Sequence, residues 1–465
     1  MINILLITIL LSLFFAWMVL NLQIFIFILF VPFVVFLTLY LYSKRNFKMF
    51  VLSLLVFFPI SIPLVFINQL PLIFLISPFL LIFIILNVIV KKNVLFIKEN
   101  NPFFTVLLFL LIWLIAGYAR NSANINLKDK IVIKEYLYVI VGILIYLFNL
   151  VYFSRENRLE VGKLLKSIFI VCILLGFLRA LAYTFKLYLP FFGEAFGWQD
   201  TQILGGGTVV HRIGGVDTCC IIGMSSMLAY YFARKNYIHK YIFIILFIFL
   251  GVIGGGRTLF FGLISMVFIF TFITNKKELA YLIGIAFVLA VLVVFINIVF
   301  HVTGQFDRIF KLKGLFLQDP LRVETYRYFL NIFLQNPILG KGIGNYTGFI
   351  SPKYGDFVKK QLVGGGHGAY ISTLAIFGIG GIILLSIFMF WGMYKSFYLI
   401  KHLDTNIGNT IDIKRLTIFI FCYLFILTIN YISGGSGFGN LALYYMIGML
   451  SGLMVRQRHK LVLSR

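Results

Sequence analysis

Three glycine clusters in this sequence stand shortly before a basic or titratable side chain. Arg212 follows the first cluster by five residues, Arg257 directly follows the second in GGGRTLF, and His367 directly follows the third in GGGHGAY. Successive backbone N–H groups can form an anion-binding concavity, and an arginine adds a planar charged donor. The pattern predicts a shared site for an anionic ligand, although turn glycines at a helix end are the simpler explanation of any single cluster.

Each of these candidates has a structural alternative. An arginine at the lipid boundary is costly unless it has a partner, so Arg257 is a candidate site residue, and snorkelling to headgroups is its alternative. His367 is either part of the site or a hydrogen-bonded structural histidine. A fourth cluster, Gly434–Gly439, has no basic neighbour. The expected backbone donors are Gly255, Gly256, Gly365 and Gly366.

Another segment has the signature of a helix with defined ends. Asp319 can cap its start and Asn336-Pro337 ends it, which predicts a helix over 320–336. Arg322 and Arg327 on this helix are candidate anion-binding side chains, and a solvated charged face is their alternative. The helix also has apolar surface suited to a membrane or to the spanning helices, provided by Tyr326, Phe329, Leu330 and Phe333.

The composition indicates which class of protein these residues belong to. The chain has 465 residues, of which 61% are hydrophobic and 12% charged, and its mean hydropathy is +1.03. A soluble domain has nearer a quarter of charged residues, so the sequence excludes a cytosolic enzyme, a secreted disulfide scaffold and a disordered chain. The net charge is +25, and a large positive charge is also typical of proteins that bind nucleic acids. In a membrane protein it indicates cytoplasmic loops, and no nucleic-acid partner is expected.

The apolar stretches predict an all-α, polytopic bundle that forms one membrane domain over 1–465. Basic residues concentrate in the loops after even-numbered spans and in the C-terminal tail, which places both termini in the cytoplasm. The first stretch has no cleavage site and is interpreted as a span, not as a removable signal. About fourteen spans are predicted, at 2–20, 24–42, 49–67, 70–90, 103–118, 136–153, 164–185, 216–233, 241–256, 258–273, 279–300, 368–394, 417–433 and 441–455.

Two predicted connections on the extracytoplasmic face are long, at 186–215 and 301–367. Long loops are usually functional or disordered, and these are too aromatic and glycine-rich to suggest disorder. All four glycine clusters fall at this face, so the site is expected there.

Several other chemistries have no support in the sequence. It contains no G-x-S-x-G elbow, no H-E-x-x-H motif and no D-x-D pair, so no metal site is predicted. No carboxylate lies well inside a predicted span, and Arg179 is the one clear intramembrane charge. Ion-coupled transport usually needs such carboxylates, but backbone carbonyls can also coordinate Na⁺, so transport stays open.

The residues named above also carry a family resemblance. The segments RVETYRYFLNIFLQNPILGKGIGNY (322–346) and HGAYISTLAIFGIGG (367–381) resemble the core of the O-antigen polymerase and ligase superfamily, and GGRTLFFG (255–262) resembles its earlier arginine-containing span. Gly368 departs from the Asn or Ser that many relatives have after the histidine. The positions that match the family pattern are Arg322, Pro337, Gly340, Gly342, His367, Leu374, Gly378 and Gly381.

The resemblance implies a GT-C-like glycosyltransferase of the bacterial inner membrane with a periplasmic active site. Its donor would be a glycan on undecaprenyl diphosphate, and the transfer to an acceptor hydroxyl would release the lipid diphosphate without a metal or other cofactor. His367 would be the catalytic base, and a diphosphate clamp would come from Arg212, Arg257, Arg322 and Arg327. The implied partners are the lipid-linked oligosaccharide, membrane lipid and, as a further candidate, a protein that regulates chain length.

Four functional alternatives follow from this sequence. An O-antigen polymerase of lipopolysaccharide biosynthesis is preferred because of the predicted span count and the divergent, Phe- and Ile-rich chain. An O-antigen ligase would use the same donor and chemistry but transfer the polysaccharide to lipid A core. A lipid-linked glycan flippase or other transporter needs no base, and a structural scaffold would tolerate substitution of His367 and of all four arginines.

Overall fold

The structure is a computed structural model and is predominantly helical in the part of the chain that it describes. The described residues are 61–62, 70–71, 102–121, 130–155, 161–184, 198–202, 209–212, 216–232, 239–253, 257–274, 320–342, 368–403, 408–432 and 437–463. The helices are α1 (Pro102–Asn121), α2 (Lys130–Arg155), α3 (Val161–Thr184), α4 (Val216–Tyr231), α5 (His239–Ile253), α6 (Arg257–Thr274), α7 (Pro320–Gln335), α8 (Ala369–Ser386), α9 (Gly392–His402), α10 (Gly408–Asn430) and α11 (Leu441–Leu463).

The predicted helical class is confirmed in these ranges, while the count of about fourteen spans stays a prediction. Two described segments are long and apolar enough to cross a membrane, Val161–Leu181 and Ala369–His402. Four further apolar helical stretches are shorter: Thr105–Gly117, Tyr138–Ser154, His239–Val252 and Thr258–Phe272. The predicted spans 2–20, 24–42 and 279–300 lie outside the described residues, as does most of 49–67 and 70–90.

Several helices extend beyond the apolar stretches from which they were predicted. α10 begins at Gly408 and includes Lys414 and Arg415, and α11 continues to Leu463, past Arg456. The sequence placed these basic residues in loops. Lysine and arginine have good helix propensity, so a helix can continue past the hydrocarbon into the headgroup layer.

Two short antiparallel strand pairs depart from the all-α prediction. β1 (Ser61–Ile62) pairs with β2 (Leu70–Pro71), at positions that were predicted to lie in spans 49–67 and 70–90. Ile62 and Leu70 each precede a proline, and a residue before proline is disfavoured in the α conformation. The second pair joins β3 (Trp198–Gln202) to β4 (Val209–Arg212) inside the predicted loop 186–215.

The described helices pack around a largely apolar interior. α4 is buried over almost its whole length and contacts α3, α5, α6 and α10. α2 and α11 also pack closely, because Gly448 faces the backbone of Tyr146 and Gly452 faces Leu150 and Phe153. Small residues at a helix interface let two backbones approach, which is the usual basis of helix packing in membranes.

The helix that follows the predicted long loop has two irregularities. Gly378 in α8 has non-helical angles (φ 67, ψ −161) and kinks the helix. A π-helical turn, Ile387–Trp391, then joins α8 to α9. Identifiable local causes of this kind, not general flexibility, underlie most helix bends.

Candidate functional site

One end of the bundle is organised by the C-terminal end of α10. The Thr258 hydroxyl lies 3.3 Å from Oδ1 of Asn430, which joins the start of α6 to this end of α10. The backbone N–H of Ala369 donates to the carbonyl of Tyr431 at 3.0 Å, which joins the start of α8 to the same place. Arg257 is the first residue of α6, and His367 immediately precedes Gly368 at the start of α8. The structure therefore brings together the two chain segments that carry these candidates.

Arg212 belongs to the same end of the bundle through α4. It is the last residue of β4 and pairs with Trp198 of β3, and α4 begins at Val216, shortly after it. α4, α5 and α6 pack on one another and are joined by short connections. Short connections between packed helices give antiparallel neighbours, so the starts of α4 and α6 share one end.

A buried charge lies beneath this end. The side chain of Arg179, in the last turns of α3, is 2% exposed, and its charge interacts with that of Asp217 in the first turn of α4. Burial of an isolated guanidinium would be very costly, whereas a nearby carboxylate offsets part of that cost. The sequence identified Arg179 as an intramembrane charge but did not identify its neighbour, because nothing in the spacing of 179 and 217 indicates contact.

The helix of the predicted loop 301–367 packs directly on α8. α7 contacts α8 through a small core in which Phe329 and Ile332 are buried against Ala375. The burial of Phe329 agrees with its interpretation as apolar surface. Leu330, by contrast, is 48% exposed.

The segment after α7 is fixed to the kink of α8 by backbone hydrogen bonds. The N–H groups of Lys341 and Gly342 donate to the carbonyls of Ala375 and Ile376 at 2.9 and 2.8 Å. In the opposite direction, the N–H of Ile379 donates to the carbonyl of Pro337 at 2.8 Å. These partners replace helical hydrogen bonds that the kink interrupts, so the buried backbone groups remain satisfied.

The crossing requires glycine on both sides. A Cβ on Gly340 would overlap the Ile376 carbonyl, and a Cβ on Gly378 would overlap the Ile338 carbonyl. Both glycines have φ of 67°, a region that other residues rarely adopt. Trp113 of α1 completes the arrangement by donating from its indole nitrogen to the carbonyl of Phe377 at 2.8 Å. The glycines of the P-x-x-G-x-G and G-x-x-G segments thus join α7 rigidly to α8.

The face of α7 that points to the start of α8 carries Tyr326. Its ring carbon Cε1 and its hydroxyl lie 3.3 and 3.4 Å from the position that a Cβ would take on Gly368, and the Ile432 carbonyl lies 3.3 Å from the same position. The sequence interpreted Tyr326 only as apolar surface. Its i, i+4 relation to Arg322 was a signal that could have placed it with the site.

The two arginines of α7 occupy different faces. Position 322 is one turn before Tyr326 and shares its face, because residues four apart lie above one another on a helix. Arg327 is rotated by about 100° from Tyr326, and its side chain is exposed. The backbone therefore places residue 322, more directly than Arg327, on the side of α7 that meets Gly368.

Several predicted site residues have no described side chain. The structure gives only backbone positions for Arg212, Arg257 and Arg322. The remaining candidates lie outside the described residues altogether, namely His367, Gly255, Gly256, Gly365 and Gly366.

The fourth glycine cluster has a packing role where it is described. The 3₁₀ turn Gly437–Gly439 lies against α8, where Gly437 contacts Thr373. The hydroxyl of Tyr431 donates to the Gly437 carbonyl at 3.1 Å. Among the residues that the structure describes, no group of three His, Cys, Asp or Glu side chains could hold a metal ion.

Part of the chain matches a known protein family. The family described as O-antigen ligase matches residues 221–389, from α4 through the kinked α8 and into the π-helical turn. Over these residues the chain is similar to the O-antigen ligase family. The matched range includes the starts of α6 and α8, all of α7 and the crossing at Gly340 and Gly378. The match supports the resemblance to the O-antigen polymerase and ligase superfamily that the sequence predicted.

Other comparisons add less detail. A search among curated proteins found no match. The superfamily consists of membrane-integral, glycosyltransferase-like enzymes of surface-polysaccharide biosynthesis. Arg212 lies before the matched range, so its assignment to the site rests on the sequence and on the position of β4.

Proposed function

We propose that this protein is an O-antigen polymerase, or a polymerase of a related surface polysaccharide. It transfers a glycan from undecaprenyl diphosphate to a sugar hydroxyl of an acceptor at the periplasmic face of the inner membrane. The observation that carries the proposal is the meeting of three segments at the end of α10: the start of α6, the start of α8 and the Tyr326 face of α7. These segments bear Arg257, His367 and Arg322.

The proposed reaction is a single displacement that needs a base and an anion clamp. His367 accepts the proton of the acceptor hydroxyl while the hydroxyl oxygen attacks the anomeric carbon of the donor. The bond between that carbon and the diphosphate oxygen breaks, and undecaprenyl diphosphate leaves with its electron pair. No metal or nucleotide is invoked, because the diphosphate ester already activates the sugar.

The clamp stabilises the charge that gathers on the leaving diphosphate. Arginine hydrogen bonds to phosphate are charge-assisted and often bidentate, and removal of one preorganised donor typically costs about 3–4 kcal/mol of transition-state stabilisation. α6 and α8 also begin at this end of the bundle, and the N-terminal ends of helices favour anions. The geometry thus supports the diphosphate as the group held between the helices.

A ligase is the second candidate, and the description of the matched family favours it. Donor, base and clamp would be the same, and only the acceptor would differ, with lipid A core replacing a second carrier-linked repeat. The preference for a polymerase rests on the predicted span count and on the divergent sequence. The acceptor is therefore the point that the experiment must decide.

A deletion strain of the source organism distinguishes these functions. Loss of a polymerase leaves single repeats on the lipid A core, whereas loss of a ligase leaves polymer on the carrier lipid.

Complementation of the deletion strain with His367→Ala should fail to restore polymer although the protein is inserted normally. The control is His402→Ala, since His402 is exposed at the far end of α9. Full polymer with His367→Ala would contradict the catalytic base and would favour a transporter or a scaffold.

A further inference from the structure

Tyr326 of α7 brings a hydroxyl group to the start of α8, although the sequence suggested only apolar surface at this position. The hydroxyl lies 3.4 Å from the Cβ position of Gly368, and the residue is half-buried. Gly368 has φ 92° and ψ 98° and gives α8 no side-chain cap. The tyrosine ring therefore fills the space beside the backbone that immediately follows His367.

The position of this hydroxyl is defined relative to Gly368. It lies 3.4 Å from the Cβ position of Gly368, and so within about 5 Å of the Cα of that residue. His367 is the residue that precedes Gly368 in the sequence. A sugar bound against the start of α8 would therefore contact the Tyr326 hydroxyl next to the chain segment that carries the proposed base.

We propose that the Tyr326 hydroxyl is a binding group for the acceptor glycan and hydrogen-bonds a sugar oxygen beside His367. The inference rests on the proposed transferase function and adds to it a residue on α7 that fixes the acceptor. A phenol hydroxyl can donate one hydrogen bond and accept another, so it can serve a sugar oxygen together with a protein partner. Its ring gives the sugar an apolar wall at little conformational cost.

The connection between α7 and α8 keeps Tyr326 in a fixed position relative to the start of α8. The crossing at Gly340 and Gly378 and the small core around Phe329 hold α7 at a fixed position along α8. A substrate-positioning side chain gains its effect from such fixation, because small displacements from the productive geometry are costly in rate. Tyr326 is one turn from the Phe329 contact and therefore moves with α8.

Tyr328 offers a matched control on the same helix. It is also half-buried, but it packs with the small core between α7 and α8 and stacks obliquely on Phe329, with ring centroids 6.1 Å apart. Burial raises the pKa of Tyr328 to about 12, so its hydroxyl stays neutral at physiological pH. Tyr328→Phe and Tyr326→Phe remove the same atom from neighbouring positions and leave both rings in place.

The test uses the full chain, purified and reconstituted in lipid nanodiscs. The donor is the lipid-linked repeat extracted from the deletion strain, and the same oligosaccharide, freed from its lipid by mild acid, serves only as acceptor. Tyr326→Phe should lower kcat/KM for the acceptor by about five- to tenfold, the usual effect of one lost neutral hydrogen bond. The loss should appear mainly as a raised acceptor KM, while the donor KM, the pH profile and the Tyr328→Phe variant stay unchanged.

Every other outcome contradicts a specific part of the proposal for Tyr326. Equal losses in Tyr326→Phe and Tyr328→Phe would show a packing role, and wild-type kinetics in Tyr326→Phe would show that the hydroxyl does not bind substrate. A shifted pH profile with an unchanged acceptor KM would make Tyr326 a positioning residue for His367, and a raised donor KM alone would place it on the donor side. These results leave the transferase function intact, because wild-type transfer and its loss in His367→Ala establish that function separately. Absence of any transfer by the wild type would overturn both.

Discussion

The position of Arg257 is fixed by the backbone at the start of α6. Arg257 follows three glycines and is the first residue of α6, and the Thr258–Asn430 contact holds its backbone at the end of α10. An arginine in this place provides a planar, bidentate set of donors, whereas lysine provides a compact point charge. The distinction gives a direct way to separate phosphate binding from snorkelling.

Arg257→Lys should reduce glycan transfer at least tenfold although the charge is kept. The reason is the loss of a bidentate, charge-assisted contact, and hydrogen bonds to charged groups are worth about 1.5–3 kcal/mol. Initial transfer rates in nanodiscs measure the effect. Wild-type rates in this variant would mean that Arg257 only reaches toward lipid headgroups.

The arginines of α7 provide a comparison within one helix. Arg322→Lys should lower transfer by about tenfold, because position 322 shares the face of Tyr326 that meets Gly368. Arg327→Lys should have a smaller effect, since its exposed side chain starts from a different face. Both variants are compared for transfer rate and for thermal unfolding, and the reverse order of effects would contradict the assignment of faces.

At the level of secondary structure, the kinked helix α8 determines how α7 is attached to the bundle. A straight helix at this position would bond its own carbonyls and leave no acceptors for the segment 337–342. The kink at Gly378 exposes three consecutive carbonyls, which bind Lys341, Gly342 and Trp113. The interruption of the helix is therefore what attaches α7 to the bundle and determines which face of α7 meets the site.

Gly378→Ala should destabilise this attachment strongly. The added Cβ would overlap the Ile338 carbonyl, and the alanine would also have to adopt the positive φ of Gly378. Overpacking and backbone strain each cost about 1–3 kcal/mol, so we expect a loss of about 2–6 kcal/mol in the free energy of unfolding and little transfer activity. Gly117→Ala on α1 is the control, because its Cβ would lie 3.7 Å from Gly342, an ordinary contact. Thermal unfolding in detergent measures both, and equal melting temperatures would contradict the crossing.

At the scale of the whole molecule, the described helices have two distinct ends. One end joins the starts of α6 and α8 with the end of α10, and we predict that it is periplasmic. The other end has the basic residues of α9, α10 and α11, among them Lys401, Lys414 and Arg456, as the positive-inside rule requires of a cytoplasmic end. The two ends can be distinguished by chemical labelling because the native thiols are all buried.

Cysteines introduced at the two ends should react with a membrane-impermeant maleimide from opposite sides. Ile432→Cys, at a position that is 48% exposed beside the site, should be labelled in intact spheroplasts. His402→Cys, at the exposed end of α9, should be labelled only after permeabilisation. The unmodified chain is the control and should not react, since Cys172, Cys219, Cys220 and Cys422 are buried. Labelling of both variants from the same side would contradict the predicted topology.

Much of the secondary structure follows from the sequence because its causes are local. Apolar stretches long enough to span lipid predict helices. Each predicted span from 103–118 onward overlaps a described helix, except 279–300, which lies outside the described residues. Capping residues such as Asp319 and Asn336-Pro337 indicate where a helix begins and ends without any tertiary contact, and the structure has α7 at Pro320–Gln335. The short strands β1 and β2 were missed because hydropathy outweighed the local effect of the prolines.

Composition and local pattern determined by themselves that this chain is a helical membrane protein, and the spacing of glycines, arginines and His367 indicated a site for an anionic group. Only the tertiary structure placed Tyr326 against Gly368, Asp217 near Arg179 and the two glycines Gly340 and Gly378 across from each other. Such contacts join residues that are far apart in the chain. They depend on the angle and the axial position at which helices pack, and hydrophobic packing is non-directional, so no residue spacing encodes them.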